Sequence, residues 1–192
     1  IFSLFLSFQI YNYFNLKNIK NTSANFFNSI QNNDIINKNL EDIKDENTFY
    51  SVLSSLKLIE QYNINKNFEK SSEIYKNLVD SNKLNLDPIY LTAISVHAAY
   101  TLIDASYIKN NTEFLDDIKF FIDSISNNLK NYFPIKKELE YLYWVTEIDL
   151  KKLDYTKHEK VIEMYNFIYE SNLISSSIKE RVKKIHEFQL YK

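Results

Sequence analysis

The sequence predicts an all-α protein built from antiparallel helical hairpins, and three observations carry that prediction. Glycine is absent from the 192 residues and proline occurs only at Pro88 and Pro134, so long stretches run without a helix breaker. Apolar residues recur at helical rather than alternating spacing. The stretch from Phe49 to Asp80 also divides around a polar turn into two amphipathic arms, neither of which can bury its stripe alone. The lack of glycine excludes glycine-rich phosphate loops, dinucleotide fingerprints and nucleophile elbows, and it disfavours tight β-hairpins.

Residues 1–15 are apolar and aromatic, and no charge precedes Lys17. Residue 1 is isoleucine, so more chain is expected upstream. The run is shorter than the ~20 apolar residues a membrane span needs. The preferred expectation is the C-terminal end of a transmembrane anchor helix, with Tyr11, Tyr13 and Phe14 in the interfacial aromatic belt. A signal-peptide core, which lacks a clear small-x-small cleavage site, and a buried core helix are the other readings. Residues 16–48 form a helical spacer or cap. Leu16, Ile19, Phe26, Phe27 and Ile30 continue the first helix, the polar QNND breaks it, and Ile35, Ile36, Leu40 and Ile43 mark a short second helix.

Residues 49–192 form the main helical domain. Its first hairpin pairs Val52, Leu53, Leu56, Leu58, Ile59 and Tyr62 with Phe68, Ile74, Tyr75, Leu78 and Val79 across the turn NINKN. Asp87 caps the next helix and Pro88 opens it, and Ala93, Ala98, Ala99 and Ala105 let a neighbour come close. Thr112 or Asn111 caps a helix running to Leu129, with Phe114, Leu115, Ile118, Phe121, Ile122 and Ile125 inward. Pro134 sits early in the following helix, and KHEKVIEMYNFIYES pairs back on it. Ser175 to Ser177 cap a last helix striped by Ile178, Val182, Ile185 and Leu190.

Composition narrows the function. A net charge of −2 gives no reason to expect nucleic acid as a partner. With no cysteine there is no disulfide and no thiolate metal site, and the compartment stays open. Lysine outnumbers arginine by 22 to 1, a bias of AT-rich coding that drains meaning from the many Asn and Lys residues. His97 reads as a satisfied core or groove histidine. His158 and His186 read as solvated helix positions, since neither has a second histidine at metalloprotease spacing. Adjacent pairs such as Asp116–Asp117 point ~100° apart on a helix and do not form a catalytic couple. No enzyme, cofactor, metal or small-molecule substrate is expected.

The stretch from Val52 resembles the tetratricopeptide repeat. Leu58 and Tyr62 fall at the large positions of the first arm, Phe68 at the aromatic after the turn, Ser71 at the small crossing position and Tyr75 at the second-arm aromatic. It departs at Ile59 and Lys66, where small residues are usual. The implied fold is a divergent tetratricopeptide-like α-solenoid, whose second arms recur every ~40–45 residues rather than at the shorter standard period. The chain as a whole is similar to the YfgM-like, single-pass membrane proteins of proteobacteria. The resemblance rests on the apolar start, the first arm with Tyr50, Leu53, Leu56, Leu58 and Ile59, the LDPIY junction, and Ile178 and Arg181 in ISSSIKERVKKI. It implies an inner-membrane protein with its soluble domain facing the periplasm, and translocon subunits or periplasmic chaperones as partners.

The candidate binding residues are Tyr141, Trp144, Tyr165, Tyr169 and Arg181. The aromatic residues read either as a core stripe or as a concave surface where large, low-entropy side chains contact a partner. Arg181 belongs to a basic terminal helix that is either a solvated face or a dock for an acidic partner. The expected function is a membrane-anchored, non-catalytic protein-interaction scaffold. The alternative is a soluble helical protein that self-assembles through its N-terminal apolar helix.

Overall fold

The computed structural model describes residues 2–31, 36–46, 49–80 and 86–192, with side chains from 12 onward except at 31, 36 and 37. The described residues are helical and contain no strand: α1 (Phe2–Gln31), α2 (Ile36–Lys44), α3 (Phe49–Ile64), α4 (Phe68–Asp80), α5 (Pro88–Lys109), α6 (Leu115–Ser124), α7 (Phe133–Lys151), α8 (Glu159–Glu170) and α9 (Ser176–Tyr191). Short 3₁₀ turns at Lys130–Tyr132 and Tyr155–Lys157 precede α7 and α8. The expected break at QNND, together with Ile35 and the side chain of Ile36, lies outside the described residues.

Two compact units result: Ile1–Ile74 with Asp80–Asn85, and Tyr75–Val79 with Leu86–Lys192. In the first, α2 packs on α1 and α3. Phe26, Leu40, Ile43, Val52, Leu58 and Ile59 are buried there, and Glu41 accepts a 2.8 Å bond from the Tyr62 hydroxyl. Residues 13–21 of α1 are exposed on every side, apolar Tyr13, Phe14, Leu16 and Ile19 included. Among the described residues no helix is long and apolar enough to cross a membrane. Of the expected anchor segment 1–15, residues 2–15 are the start of α1, which continues unbroken into the spacer as far as Gln31.

In the second unit α7 is the centre, touching α5, α6, α8 and α9. Ala98, Ala99 and Ala105 are fully buried and let α6 and α7 close on α5; Ala93 is exposed. Asp87 caps α5 as its side chain accepts from the Ile89 amide at 2.8 Å. Two expected caps come out differently. Asn111 closes a local turn by accepting from the Glu113 amide, and α6 begins only at Leu115, without a side-chain cap. Ser175 stands at the N-cap of α9, but its hydroxyl pairs with that of Ser177. The helix expected to reach Leu129 stops at Ser124.

With no glycine available, the helix ends use other residues. Lys66, Asn110 and Lys152 have φ of 57°, 51° and 54°, the left-handed region. Each closes the same double bond: Asn67 to Tyr62 and Lys66 to Asn63; Asn111 to Ser106 and Asn110 to Tyr107; Leu153 to Ile148 and Lys152 to Asp149. This is the Schellman ending, in which glycine is the usual residue. A Cβ in that region costs roughly 1–2 kcal/mol, offset in part by the greater unfolded freedom of glycine. Lys66→Gly and Lys152→Gly are therefore each expected to raise stability by about 0.5–1 kcal/mol in urea unfolding, with a smaller gain for Asn110→Gly because Asn tolerates the region.

Candidate functional site

The second unit carries two polar junctions along α7, one near each end. Glu138 is buried at 3% exposure although it is a carboxylate. Arg181 of α9 grips it in a fork, Nε to Oε1 and Nη2 to Oε2, both at 2.8 Å, and the Tyr100 hydroxyl of α5 donates to it at 3.1 Å. Three turns further along α7, Asp149 accepts from the Tyr107 hydroxyl of α5 at 3.1 Å, from the Gln189 amide and from Lys192 at 2.7 Å. Along α5, α7 and α9 the contacts advance together, Tyr100 to Tyr107, Glu138 to Asp149 and Arg181 to Gln189. The three helices therefore run in the same direction side by side. The paired residues are 38, 43, 42 and 40 positions apart, a near-constant step.

Electrostatics follow from the burial. Removal from water, with Glu138 beside it, pushes the Tyr100 hydroxyl far above its ordinary 10. Burial likewise raises Tyr107 to about 12. The Glu138 bond raises the guanidinium of Arg181 against its partial desolvation. These groups hold fixed charge states through neutral pH, as a structural seam requires.

The five residues singled out from the sequence go to four places. Tyr141 is fully buried in a cluster with Val145, Ile148, Val161, Ile168, Ile178 and Val182, where it offers no surface. Trp144, half-buried one turn on, lines a groove of about 320 Å³ with Lys137, Lys160, Glu163, Met164 and Phe167. Tyr165 and Tyr169 stack on each other at 5.9 Å along the α8 side that meets α9, and Tyr165 lies flat on the ring of His186 at 3.7 Å. Arg181 is bound to Glu138 within the chain.

The groove is the most open apolar feature among these. Phe167 is 44% exposed and meets Phe133 edge-on at 6.3 Å. The Lys160 ammonium sits 4.8 Å over the Trp144 ring, and Lys137 lies 5.8 Å from both Phe133 and Phe167 while pairing with Glu140. Met164 adds an adaptable apolar contact. A second hollow of about 380 Å³ at the Asp149 end is lined by Lys152, Asp154, Thr156, Gln189 and Lys192. Much of its charge is already committed, Lys192 to Asp149 and Asp154 to Lys157 and Thr156. Among the described residues no cluster of His, Asp or Glu has the arrangement to hold a metal.

The histidines match expectation only in part. His97 is satisfied, its Nδ1 meeting the Tyr75 hydroxyl, but the residue is exposed rather than in the core. His158 and His186 are half-buried rather than solvated, one leaning on Trp144 at 5.4 Å and the other bonded to Tyr155. Sequence reasoning missed Glu138, Asp149, Tyr100 and Tyr107. Their shared signal is a polar side chain recurring at a step of 38 to 43 positions. The chain thus falls in the class of all-helical proteins with helices packed side by side. No protein family, curated protein or solved structure matches it.

Proposed function

We propose that this chain is a non-catalytic helical scaffold that captures a segment of another protein in the Trp144–Phe167 groove. The observation that carries it is an apolar floor of Trp144, Met164 and Phe167 with two lysine ammoniums held over its rings. Aromatic floors rimmed by cations suit a segment that presents a bulky apolar side chain beside a carboxylate. The parallel run of α5, α7 and α9, with α6 packed on α5 and α7 and α8 packed on α7 and α9, supports a divergent tetratricopeptide-like solenoid.

The placement rests on the similarity to YfgM-like proteins and on the exposed apolar residues Tyr13, Phe14, Leu16 and Ile19 of α1. It is a single-pass inner-membrane protein, its helical domain in the periplasm beside the Sec translocon and its chaperones. A photo-reactive residue in place of Phe167, in the full-length protein in native membranes, is expected to cross-link translocon subunits or periplasmic chaperones. Trp144→Ala and Lys160→Glu are expected to reduce that yield several-fold. Cross-links to cytosolic proteins alone, or yields unchanged by both substitutions, would overturn the reading. Recovery of the full-length protein in the soluble fraction as a self-associated species would favour assembly through α1 instead.

A further inference from the structure

A hydrogen-bond chain in the second unit has only one satisfied direction. The hydroxyl of wholly buried Tyr141 lies 3.1 Å from that of Tyr155, which lies 2.7 Å from Nδ1 of His186. A neutral imidazole protonated on Nε2 accepts at Nδ1. Tyr141 then donates to Tyr155, Tyr155 donates to His186, and both hydroxyl hydrogens have an acceptor. A proton added at Nδ1 turns that atom into a donor. His186 must then donate to Tyr155, whose oxygen can accept from both His186 and Tyr141, so one hydroxyl hydrogen of the buried pair, that of Tyr155 or that of Tyr141, loses its acceptor in the chain. Buried donors without partners are what folded proteins avoid.

We propose that His186 is an acid-sensitive latch, whose protonation ends the donation from Tyr155, strands a buried hydroxyl hydrogen in the Tyr155–Tyr141 pair and loosens α9 from α7 and α8. Three elements meet the imidazole or its chain. The 3₁₀ turn supplies Tyr155, α8 supplies Tyr165 stacked on the ring face, and α7 supplies Tyr141 through Tyr155. On α9 itself Glu187 is the neighbouring charge, with Lys183 3.7 Å from its carboxylate. Glu187 and the Tyr165 ring face favour the cation. Burial prevails over Glu187, and His186 lies below its ordinary 6.5. For a base depressed in this way the unfolded or opened state binds more protons. The stability it contributes is complete above pH 6.5, declines as pH falls from there toward the folded value, and then levels off. Loosening α9 would uncover Ile178, Val182 and Ile185 and the α7–α8 surface they cover.

The test is a titration of the whole chain between about pH 8 and pH 5, reading the His186 ring by NMR and the amide-exchange protection of α9. Wild type is expected to lose α9 protection as the pH falls, and His186→Gln, which keeps an acceptor for Tyr155, to lose none. Tyr155→Phe keeps the shape and removes the relay, so it is expected to move the His186 midpoint up toward 6.5. Tyr141→Phe only transfers the unsatisfied hydrogen to Tyr155 and is expected to leave the midpoint low. A midpoint in Tyr155→Phe as low as in wild type would show that burial alone sets it and would overturn the latch. So would α9 protection in wild type that does not change with pH.

Discussion

Tyr141→Ala is expected to lower the unfolding free energy by about 3–5 kcal/mol, seen as a lower urea midpoint at an unchanged slope. The ring is wholly enclosed between α7, α8 and α9 by Val145, Ile148, Val161, Ile168 and Val182, so its removal leaves a cavity that helices fixed on several sides cannot close. Tyr141→Phe keeps the shape and loses only the bond to Tyr155, for about 1 kcal/mol. If the two substitutions cost the same, the hydroxyl rather than the packed ring is what matters, and the description of Tyr141 as core filling fails. Packing also explains why Tyr141 and Trp144, one helical turn apart, end differently: the first faces the α8–α9 interface and the second the rim.

Arg181→Ala is expected to cost about 2–3 kcal/mol in the same measurement. Breaking a buried pair by removing one partner costs ~3–5 kcal/mol because the other charge stays buried. Here the Glu138 side chain is 4% exposed but that of Arg181 is 55% exposed, so water reaching the vacated side reduces the loss. Arg181→Lys keeps the charge but replaces a planar fork with a point donor, and is expected to recover only part of the stability. Glu138→Leu combined with Arg181→Leu is expected to be milder than Arg181→Ala, since an apolar pair leaves no stranded charge. A loss in Arg181→Ala no larger than ~0.5 kcal/mol, the level of an ordinary surface change, would mean that the seam does not hold α9.

Much of the helical order was legible from residues close together in sequence. Asp87 and Pro88 start α5 by satisfying the first amides locally and fixing φ, and the stripe from Phe114 to Ile125 is buried as its spacing predicts. The ending at Lys66 falls in the expected turn NINKN, at a position where the resembled repeat has a small residue, but the one at Lys152 was not legible, because lysine carries no preference for the left-handed region. The expected caps at Asn111 and Ser175 fail locally, since each side chain bonds a group two residues on instead of the first turn of its helix.

The site divides in the same way. An aromatic concentration on α7 and α8 is visible in the sequence, and Trp144 and Phe167 do line one groove. Arg181 stands out as the single arginine, but nothing near it in sequence names Glu138, its partner 43 positions away. His186 reads as one more polar residue on a charged helix until the fold brings Tyr155 and Tyr165 to its ring.

By itself the sequence determined the helical state, the places where most helices begin, and the pairing of α5 with α6 and of α7 with α8. Those depend on apolar periodicity and on bonds spanning only a few residues. Only the tertiary structure decided which tyrosine is core and which tryptophan is rim, which carboxylate binds the arginine, and which histidine is half-buried on a tyrosine relay. Each of those depends on burial, and burial is set by elements between 14 and 43 residues away in the chain, which no local pattern encodes.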